Sequence, residues 1–176
     1  GFSEKTIVPE SGVVKLASDT PLDIACVIGC AVQTGVGAVL NSAKVEVGST
    51  VLVTGLGGIG ISIVQGARIA GAGKIIVSDP VAERREAAIH FGATHAVDPT
   101  QDEVVPKVLE ETELIGVDYA FEAAGVASLV DTCINASRIG GTTVIVGADV
   151  TLSTVPILPV AIATMGKKII GSLLGD

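Results

Sequence analysis

Aromatic and basic residues are scarce in this sequence. Of its 176 residues only 2% are Phe, Tyr or Trp, none is Trp, and 11 Lys and Arg stand against 19 Asp and Glu. The formal net charge is -8, and the sequence contains no basic stripe with interleaved aromatics. Because nucleic-acid binding depends on clustered cations, we expect no nucleic-acid partner, and the acidity instead favours solubility.

Cysteine is scarce as well. Three cysteines, an odd number, do not form a disulfide framework, so we expect a reducing, cytoplasmic compartment. The N-terminus has no signal-peptide pattern. Two uncharged stretches, Ile24–Ala43 and Val47–Ala67, are long enough to suggest membrane spans, but several glycines and Gln or Thr interrupt each of them. We interpret both as buried segments and expect no membrane partner.

Aliphatic residues and glycine are abundant: 48% of the chain is hydrophobic and 22 residues are Gly. From Gly48 onward, short apolar runs alternate with longer amphipathic runs, which is typical of a parallel sheet with right-handed crossovers. The predicted strands are Thr50–Thr54, Lys74–Ser78, His95–Val97, Val117–Phe121, Thr142–Val146 and Lys168–Leu173. The predicted helices are Gly58–Ala70, Ala82–Phe91, Asp102–Glu111, Val126–Ser137 and Leu158–Thr164. This pattern predicts an α/β Rossmann fold, a doubly wound six-stranded parallel sheet in the order 3-2-1-4-5-6 with helices on both faces.

The segment before Gly48 has a different pattern. Thr6–Pro9 and Val13–Leu16 are predicted as short strands. Asp19 followed by Pro21 is typical of a helix start, and two helices are predicted after it. These helices are Leu22–Ile28 and Ala31–Ala43, with Gly29–Cys30 at their junction.

The strongest motif is GLGGIG at residues 55–60, which fits G-x-G-x-x-G between a predicted strand and a predicted helix. Gly55 allows the tight turn, Gly57 lets the backbone approach a pyrophosphate, and Gly60 lets the helix pack closely on the sheet. Gly58 and Ile59 complete the motif, and the helix N-terminus offers free N–H groups to the phosphates. The alternative is a turn that only packs.

Asp79 ends the second predicted strand, at the position where an acid accepts hydrogen bonds from the adenosine ribose. Its charge repels a 2′-phosphate, so NAD is favoured over NADP. Arg84 and Arg85 follow closely, and an Arg beside the ribose could tolerate that phosphate. A helix cap before Pro80 is the alternative role for Asp79.

The cysteines alone leave two interpretations open. Cys26 and Cys30 are four residues apart, so both could lie on one helix face and chelate a metal. Alternatively, these two and Cys133 are small core residues.

Together these stretches resemble the medium-chain dehydrogenase/reductase superfamily, in particular its zinc-dependent alcohol dehydrogenase branch, which includes the class III enzymes. The resemblance covers nearly the whole chain in the right order. It is carried by Ile28–Cys30 with Thr34–Gly35, Ala43–Ser49 leading into Gly55–Gly60, Asp79, Phe91–Thr94, Gly116–Tyr119, Phe121–Glu122 and Gly140–Gly147.

The resemblance implies roles for individual residues. Cys30 is implied as one of three protein ligands of a catalytic zinc, whereas Cys26 and Cys133 match no ligand position and are expected in the core. Thr34 is expected near the nicotinamide, Ile59 against its ring, and Arg84 on the adenosine side. The nicotinamide end is further expected to include Ala123, Ala124, Val146, Gly147, Ala148 and Leu174. His90 and His95 are expected to be ordinary surface or strand-edge residues.

The resemblance also implies a larger enzyme that oxidises an alcohol, or reduces an aldehyde, with NAD and zinc. The other zinc ligands and the proton relay belong to a catalytic domain, so residues 1–18 are expected to be a remnant of that GroES-like domain and residues 19–176 the NAD-binding domain. We therefore expect a piece of a longer protein, inactive alone. Alternatives are a zinc-free NADPH quinone or enoyl reductase-like domain and a non-catalytic dinucleotide-binding module.

Association is the last expectation from the resemblance. The apolar segment Thr154–Leu174 leads into the last predicted strand, and in the family this region pairs two subunits by extending one sheet into the next. We expect a homodimer through it.

Overall fold

The computed structural model describes residues 3–148, 151 and 153–176, so the first two residues of the 1–18 segment lie outside the described residues. Six parallel strands form one sheet in the order β3-β2-β1-β4-β5-β6, which confirms the predicted Rossmann topology. The strands are β1 Thr50–Thr54, β2 Lys74–Ser78, β3 His95–Val97, β4 Val117–Glu122, β5 Ser137–Ile145 and β6 Lys168–Gly171. The helices are α1 Leu22–Ala25, α2 Gln33–Gly37, α3 Gly58–Ile69, α4 Ala82–Phe91, α5 Val104–Glu111, α6 Ala127–Ala136 and α7 Pro159–Met165.

The central strands are buried on both faces, which explains their uninterrupted aliphatic sequence. Val51 and Val53 of β1 belong to one apolar cluster together with residues of α3 and α4. Leu52, which points to the opposite face, belongs to a second cluster with residues of α5 and α6. Helices therefore cover both faces of the sheet, and the carboxyl ends of the strands are left at one edge.

The fifth strand begins earlier than predicted. Helix α6 ends at Ala136 and β5 starts at Ser137, where the sequence predicted a helix to Ser137 and a strand only from Thr142. The pairing with β4 shifts register between Val117 and Tyr119, so the residues from Arg138 to Gly141 form an irregular, bulged stretch. The Arg138 Nε donates to Asp118 Oδ1 at 2.6 Å and fixes this stretch to β4.

The predicted strands Thr6–Pro9 and Val13–Leu16 are wrong. Residues 3–49 contain no strand, and a single 3₁₀ turn, Glu10–Gly12, lies between the two predicted ones. An extended run becomes a strand only when a neighbouring strand supplies ladder partners, and none of the described residues does so here.

The predicted break at Gly29–Cys30 is also wrong. Residues Leu22–Ala43 form one helical segment in which π-helical turns, Ile28–Val32 and Ala38–Ala43, flank α2. The wider π turn absorbs Gly29 without ending the helix. By length and composition this is the one helix among the described residues that could cross a membrane. Its second half nevertheless packs closely on α3. The contact is so tight that a Cβ at Gly35 would be 2.5 Å from Ser62 Cβ.

The end of the described chain closes over this helical segment. A Cβ at Gly37 would overlap the backbone of Gly175, so the two glycines allow a backbone-to-backbone contact. Asn41 Nδ2 donates to the Gly175 carbonyl at 2.8 Å, and Ser42 Oγ lies 2.8 Å from Ser172 Oγ. Residues after β6 therefore hold the helix that precedes β1.

Candidate functional site

The carboxyl ends of β1, β2 and β4 meet at one edge of the sheet. Strand order reverses at β1, because β2 lies on one side of it and β4 on the other. Open α/β sheets bind their ligands in the crevice at such a switch point. We call the part formed by the ends of β2 and β3 with α4 the β2 side. The part formed by the ends of β4 to β6 with α2 is the β4 side.

The glycine motif forms the floor of this crevice, and its glycines differ in what requires them. Gly55 has a φ of 85°, and a Cβ there would be 2.7 Å from Ala124 Cβ. A Cβ at Gly60 would overlap the Gly55 carbonyl oxygen. A Cβ at Gly58 would be 3.2 Å from Ala31 Cβ, whereas a Cβ at Gly57 would have nothing within 4 Å. Protein packing therefore explains Gly55 and Gly60 and leaves Gly57 without an internal reason.

Helix α3 begins directly after Gly57, and no side chain caps its amino end. The first N–H groups of a helix have no partner within it, and together with the helix dipole they favour an anion. A cavity of about 610 Å³ opens beside this end, between the segment around Ala31 and helices α3 and α4. Gly57, Gly58 and Arg84 are among its lining residues.

Asp79 follows β2 and is only 4% exposed. Its Oδ2 accepts the Leu56 N–H at 2.8 Å, and its Oδ1 accepts the Val81 N–H at 2.9 Å. The first bond ties the carboxylate to the glycine motif, and the second forms the turn that leads into α4. Each oxygen has a second lone pair, so further donors can still be accepted. Asp79 therefore serves the turn before the helix and also presents a carboxylate to the crevice.

The two arginines after Asp79 occupy different environments. Arg84 has a side chain that is 54% exposed and places Nη1 3.6 Å from Asp79 Oδ2. Arg85 is only 15% exposed and is bonded at both ends of its guanidinium group. Of the two arginines, Arg84 is thus the exposed cation, and it lines the cavity beside the amino end of α3.

On the β4 side the structure brings together most of the residues expected at the nicotinamide end. Ala123 N–H bonds the Thr54 carbonyl at 2.9 Å, and the N–H groups of Val146 and Gly147 bond the Glu122 carbonyl, each at 2.9 Å. A Cβ at Gly125 would be 2.7 Å from the Ala148 carbonyl oxygen, so the loop after β4, which begins with Ala123 and Ala124, contacts the loop after β5 that holds Ala148. Leu174 lies beyond β6 and is exposed, and Ile59 is half-buried in the first turn of α3.

Glu122 is the residue on this side whose role the sequence did not reveal. It is 1% exposed at the end of β4, and its Oε1 accepts the N–H groups of Ala124, Gly125 and Val126 at 2.8, 2.8 and 3.2 Å. Its Oε2 is buried without a hydrogen-bond partner. The signal was present: an acid ends a buried strand, as Asp79 does on β2.

Thr34 is the second residue with an unsatisfied group. It is 5% exposed in α2, and its Oγ1 is buried without a hydrogen-bond partner. Thr34 Oγ1 and Glu122 Oε2 are the two such side-chain atoms found among the residues that the structure describes. Buried polar atoms without a partner are uncommon and indicate a bound molecule or water that supplies one.

The cysteines separate into two exposed thiols and one buried thiol. Cys133 is buried behind β1, 3.5 Å from Thr54 Oγ1, and burial raises its pKa to about 12. This confirms the core position of Cys133. The same expectation for Cys26 is wrong, because its segment lies on the surface, where its thiol donates to the Asp23 carbonyl at 3.1 Å.

Cys30 is exposed one helical turn before Thr34 and has the sulfur donor that zinc prefers. Among the described residues no group of three or more His, Cys, Asp and Glu side chains is placed to hold a metal. His95 lies on edge strand β3, 3.0 Å from Glu111, and His90 stacks edge-on against Phe91 in α4. The residues present thus fit one ligand of a zinc site, and both histidines take the surface and strand-edge positions expected.

Comparison with known proteins agrees with this geometry. A family model described as zinc-binding dehydrogenase matches residues 58–176. A probable alcohol dehydrogenase from Pseudomonas sp. is 37% identical over 99% of this chain and 56% of its own length. Benzyl alcohol dehydrogenase from Acinetobacter calcoaceticus has a TM-score of 0.87 and 33% identity, over 92% of this chain and 44% of that one.

A putative zinc-binding dehydrogenase from Sinorhizobium meliloti 1021, solved bound to NADP, gives a TM-score of 0.78 at 33% identity and covers 83% of this chain and 43% of its own. This chain spans about half the length of these relatives. The family model covers more than half of the chain, and sequence and fold agree along it. The chain therefore belongs to the zinc-binding dehydrogenases, and corresponds to the cofactor-binding domain region of the zinc-dependent alcohol dehydrogenase branch of the medium-chain superfamily.

Proposed function

We propose that this chain binds NAD(H) across the crevice and acts, in the whole protein, as the cofactor domain of a zinc-dependent alcohol dehydrogenase. The reaction is hydride transfer between an alcohol or aldehyde substrate and the nicotinamide ring. The observation that carries the proposal is Gly57, where a side chain would meet no protein atom but would fill the space over the uncapped end of α3. A diphosphate in that space explains why glycine stands there.

On the β2 side, Asp79 is the proposed partner of the adenosine ribose. Its carboxylate is held in place by the Leu56 and Val81 N–H groups and retains acceptor capacity for the ribose hydroxyls. A 2′-phosphate would meet this carboxylate directly. The proposal is therefore NAD in preference to NADP, although the structural relative from Sinorhizobium meliloti was solved with NADP.

On the β4 side, the nicotinamide end of the cofactor is the proposed neighbour of Thr34, Ile59 and the loops that end β4 and β5. The unpartnered Thr34 hydroxyl supports this assignment because a bound molecule would satisfy it. The residues Val146 to Ala148 follow β5 at this end of the sheet and are the proposed neighbours of the carboxamide, and the exposed Leu174 lies beyond β6.

Cys30 is the proposed zinc ligand of this chain. When bound, zinc supplies a Lewis acid that polarises the substrate oxygen and lowers the pKa of an alcohol. The contribution of this chain is a thiol on a surface that the rest of the protein can cover, four residues before Thr34. We propose that residues 1–18 belong to the domain that supplies the remaining ligands.

We further propose that two copies associate through β6. This strand is an edge of the sheet, and the segment before it exposes Leu158 and Val160. Light scattering is expected to give twice the chain mass, and Leu158→Glu is expected to shift the mass to that of a monomer. Ile7→Glu, on a fully exposed apolar residue far from β6 in sequence, is the control. A monomer in the unmodified chain at high concentration contradicts the proposal.

The experiment that tests cofactor binding is a titration of the chain with NADH, followed by nicotinamide fluorescence. Saturable binding is expected. Gly57→Ala is expected to weaken binding by roughly tenfold or more, because the methyl group occupies the space of the diphosphate. The same variant should keep its unfolding midpoint, since the added Cβ meets nothing within 4 Å and the φ of -71° suits alanine.

Gly12→Ala is the matched control, because its added Cβ also has no neighbour within 4 Å and it lies outside the crevice. It should leave both affinity and stability unchanged. A folded chain without saturable NADH binding, or one in which Gly57→Ala binds as well as the unmodified chain, contradicts the proposal.

A further inference from the structure

Asp98 lies at the carboxyl end of β3, next to the end of β2 where Asp79 stands. Its Oδ1 accepts two hydrogen bonds from Thr100, one from the backbone N–H at 2.9 Å and one from the hydroxyl at 2.7 Å. Its Oδ2 accepts the Arg85 Nη2 at 2.7 Å. The hydrogen bonds of Thr100, followed by the nearby Arg85 charge, hold the pKa of Asp98 below its ordinary value. Asp98 is therefore a fixed, ionised partner of Arg85.

Arg85 is also fixed at its other terminal nitrogen. Its Nη1 donates to the main-chain carbonyl oxygen of Asp79 at 2.6 Å. The guanidinium group thus contacts the main chain of the residue proposed to hold the ribose. Arg84, by contrast, is half exposed and touches Asp79 only at 3.6 Å. Of the two cations, Arg85 is the one fixed to the residues that follow β2 and β3.

We propose that Asp98 is a cofactor-specificity residue, which excludes a 2′-phosphorylated dinucleotide by keeping the Arg85 guanidinium paired, so that it does not offer a free N–H pair to the phosphate. This inference rests on the proposed binding of NAD(H). With Asp98 present, the two carboxylates at this edge balance the charges of Arg84 and Arg85. Without the Asp98 carboxylate, the Arg85 guanidinium group loses one partner and can pair with a phosphate, for which its geometry is well suited.

Asp98 acts through Arg85 and is a positioning residue, so its removal should change the choice of cofactor more than the stability of the fold. The test compares dissociation constants for NADPH and NADH, measured by fluorescence titration, in the unmodified chain and in Asp98→Asn. The ratio of the NADPH constant to the NADH constant is expected to fall by roughly tenfold, the value of about one hydrogen bond to a charged group. If the Asp98→Asn variant does not fold, Asp98→Ser takes its place, because a serine hydroxyl can also accept the Thr100 N–H. The ratio of the two dissociation constants is expected to fall in that variant too.

A double variant separates the two ways in which this change could arise. Removing the Asp98 charge could favour any added phosphate, whereas the proposal requires the Arg85 cation. Asp98→Asn with Arg85→Gln is therefore expected to return the ratio to that of the unmodified chain or above it. A gain for NADPH that persists in the double variant overturns the role of Arg85.

The outcomes also separate this inference from the proposed function. A folded, unmodified chain that does not bind NADH overturns the proposed function, and the inference falls with it. Saturable NADH binding with an unchanged cofactor ratio in Asp98→Asn overturns the inference alone. The matched control for the Arg85 double variant is Asp98→Asn combined with Arg84→Gln, which removes the neighbouring exposed cation instead. The fall in the cofactor ratio caused by Asp98→Asn should persist in it.

Discussion

The two sides of the crevice differ in how completely the chain satisfies its own polar groups. On the β2 side, Asp79 and Asp98 use both carboxylate oxygens, and Arg85 uses both terminal nitrogens. On the β4 side, Thr34 Oγ1 and Glu122 Oε2 are buried without a partner. Because unsatisfied buried groups destabilise a fold, the β4 side has two groups whose satisfaction by a bound molecule would stabilise the chain, whereas the β2 side has none among the described residues.

The largest expected effect that tests this comparison is at Glu122. Replacing Glu122 by Ala removes the acceptor of three backbone N–H groups and leaves a cavity behind, so the free energy of unfolding should fall by about 2–4 kcal/mol. Urea unfolding measures it. Glu122→Gln keeps one oxygen for the three donors and is expected to cost clearly less than the alanine variant. Equal losses in both variants would mean that the negative charge, and not the hydrogen bonds, holds the loop.

A smaller effect, of opposite sign, is expected at Thr34. In Thr34→Val a methyl group replaces a buried hydroxyl that has no partner, so the chain without cofactor should gain up to about 1 kcal/mol of stability. NADH affinity should fall in the same variant, because the cofactor is the proposed partner of the hydroxyl.

Thr54→Val is the matched control for that substitution. Thr54 is also buried, but its hydroxyl donates to the Phe121 carbonyl at 3.2 Å, so its loss should destabilise the chain by about 1 kcal/mol. If Thr34→Val destabilises the chain as much as Thr54→Val does, the Thr34 hydroxyl has a partner within the protein. The contrast between the two sides of the crevice would then be lost at that residue.

Periodicity and turn chemistry were sufficient for the fold from Gly48 onward. The aliphatic runs of β1 and β2 are short, rich in Val and Ile, and separated by longer amphipathic runs, which favours central strands, and GLGGIG indicates where the helix after β1 starts. Asp79 could be found because it ends one of those runs. Glu122 also ends such a run, but its neighbours in sequence, Phe121, Ala123 and Ala124, are apolar or small. Its hydrogen bonds depend on the path of the following loop, which the sequence does not reveal.

The segment before β1 was harder to predict for a physical reason. Thr6–Pro9 and Val13–Leu16 have strand-like composition, but no local pattern tells whether a neighbouring strand exists. Cys26 was expected in the core because cysteine is usually buried, and it is exposed because nothing among the described residues covers its helical segment. Pairing and cover are properties of the assembled structure, and single-residue preferences do not contain them.

The contact between Gly37 and Gly175 couples two parts of the chain that are distant in sequence. The helix with Cys30 and Thr34 is held to residues that follow the outermost strand, by the approach of the two glycines and by the Asn41 hydrogen bond. A bulky side chain at either glycine would therefore move the thiol and the hydroxyl without touching them. Conversely, a chain that paired with edge strand β6 would lie next to the residues that contact this helix.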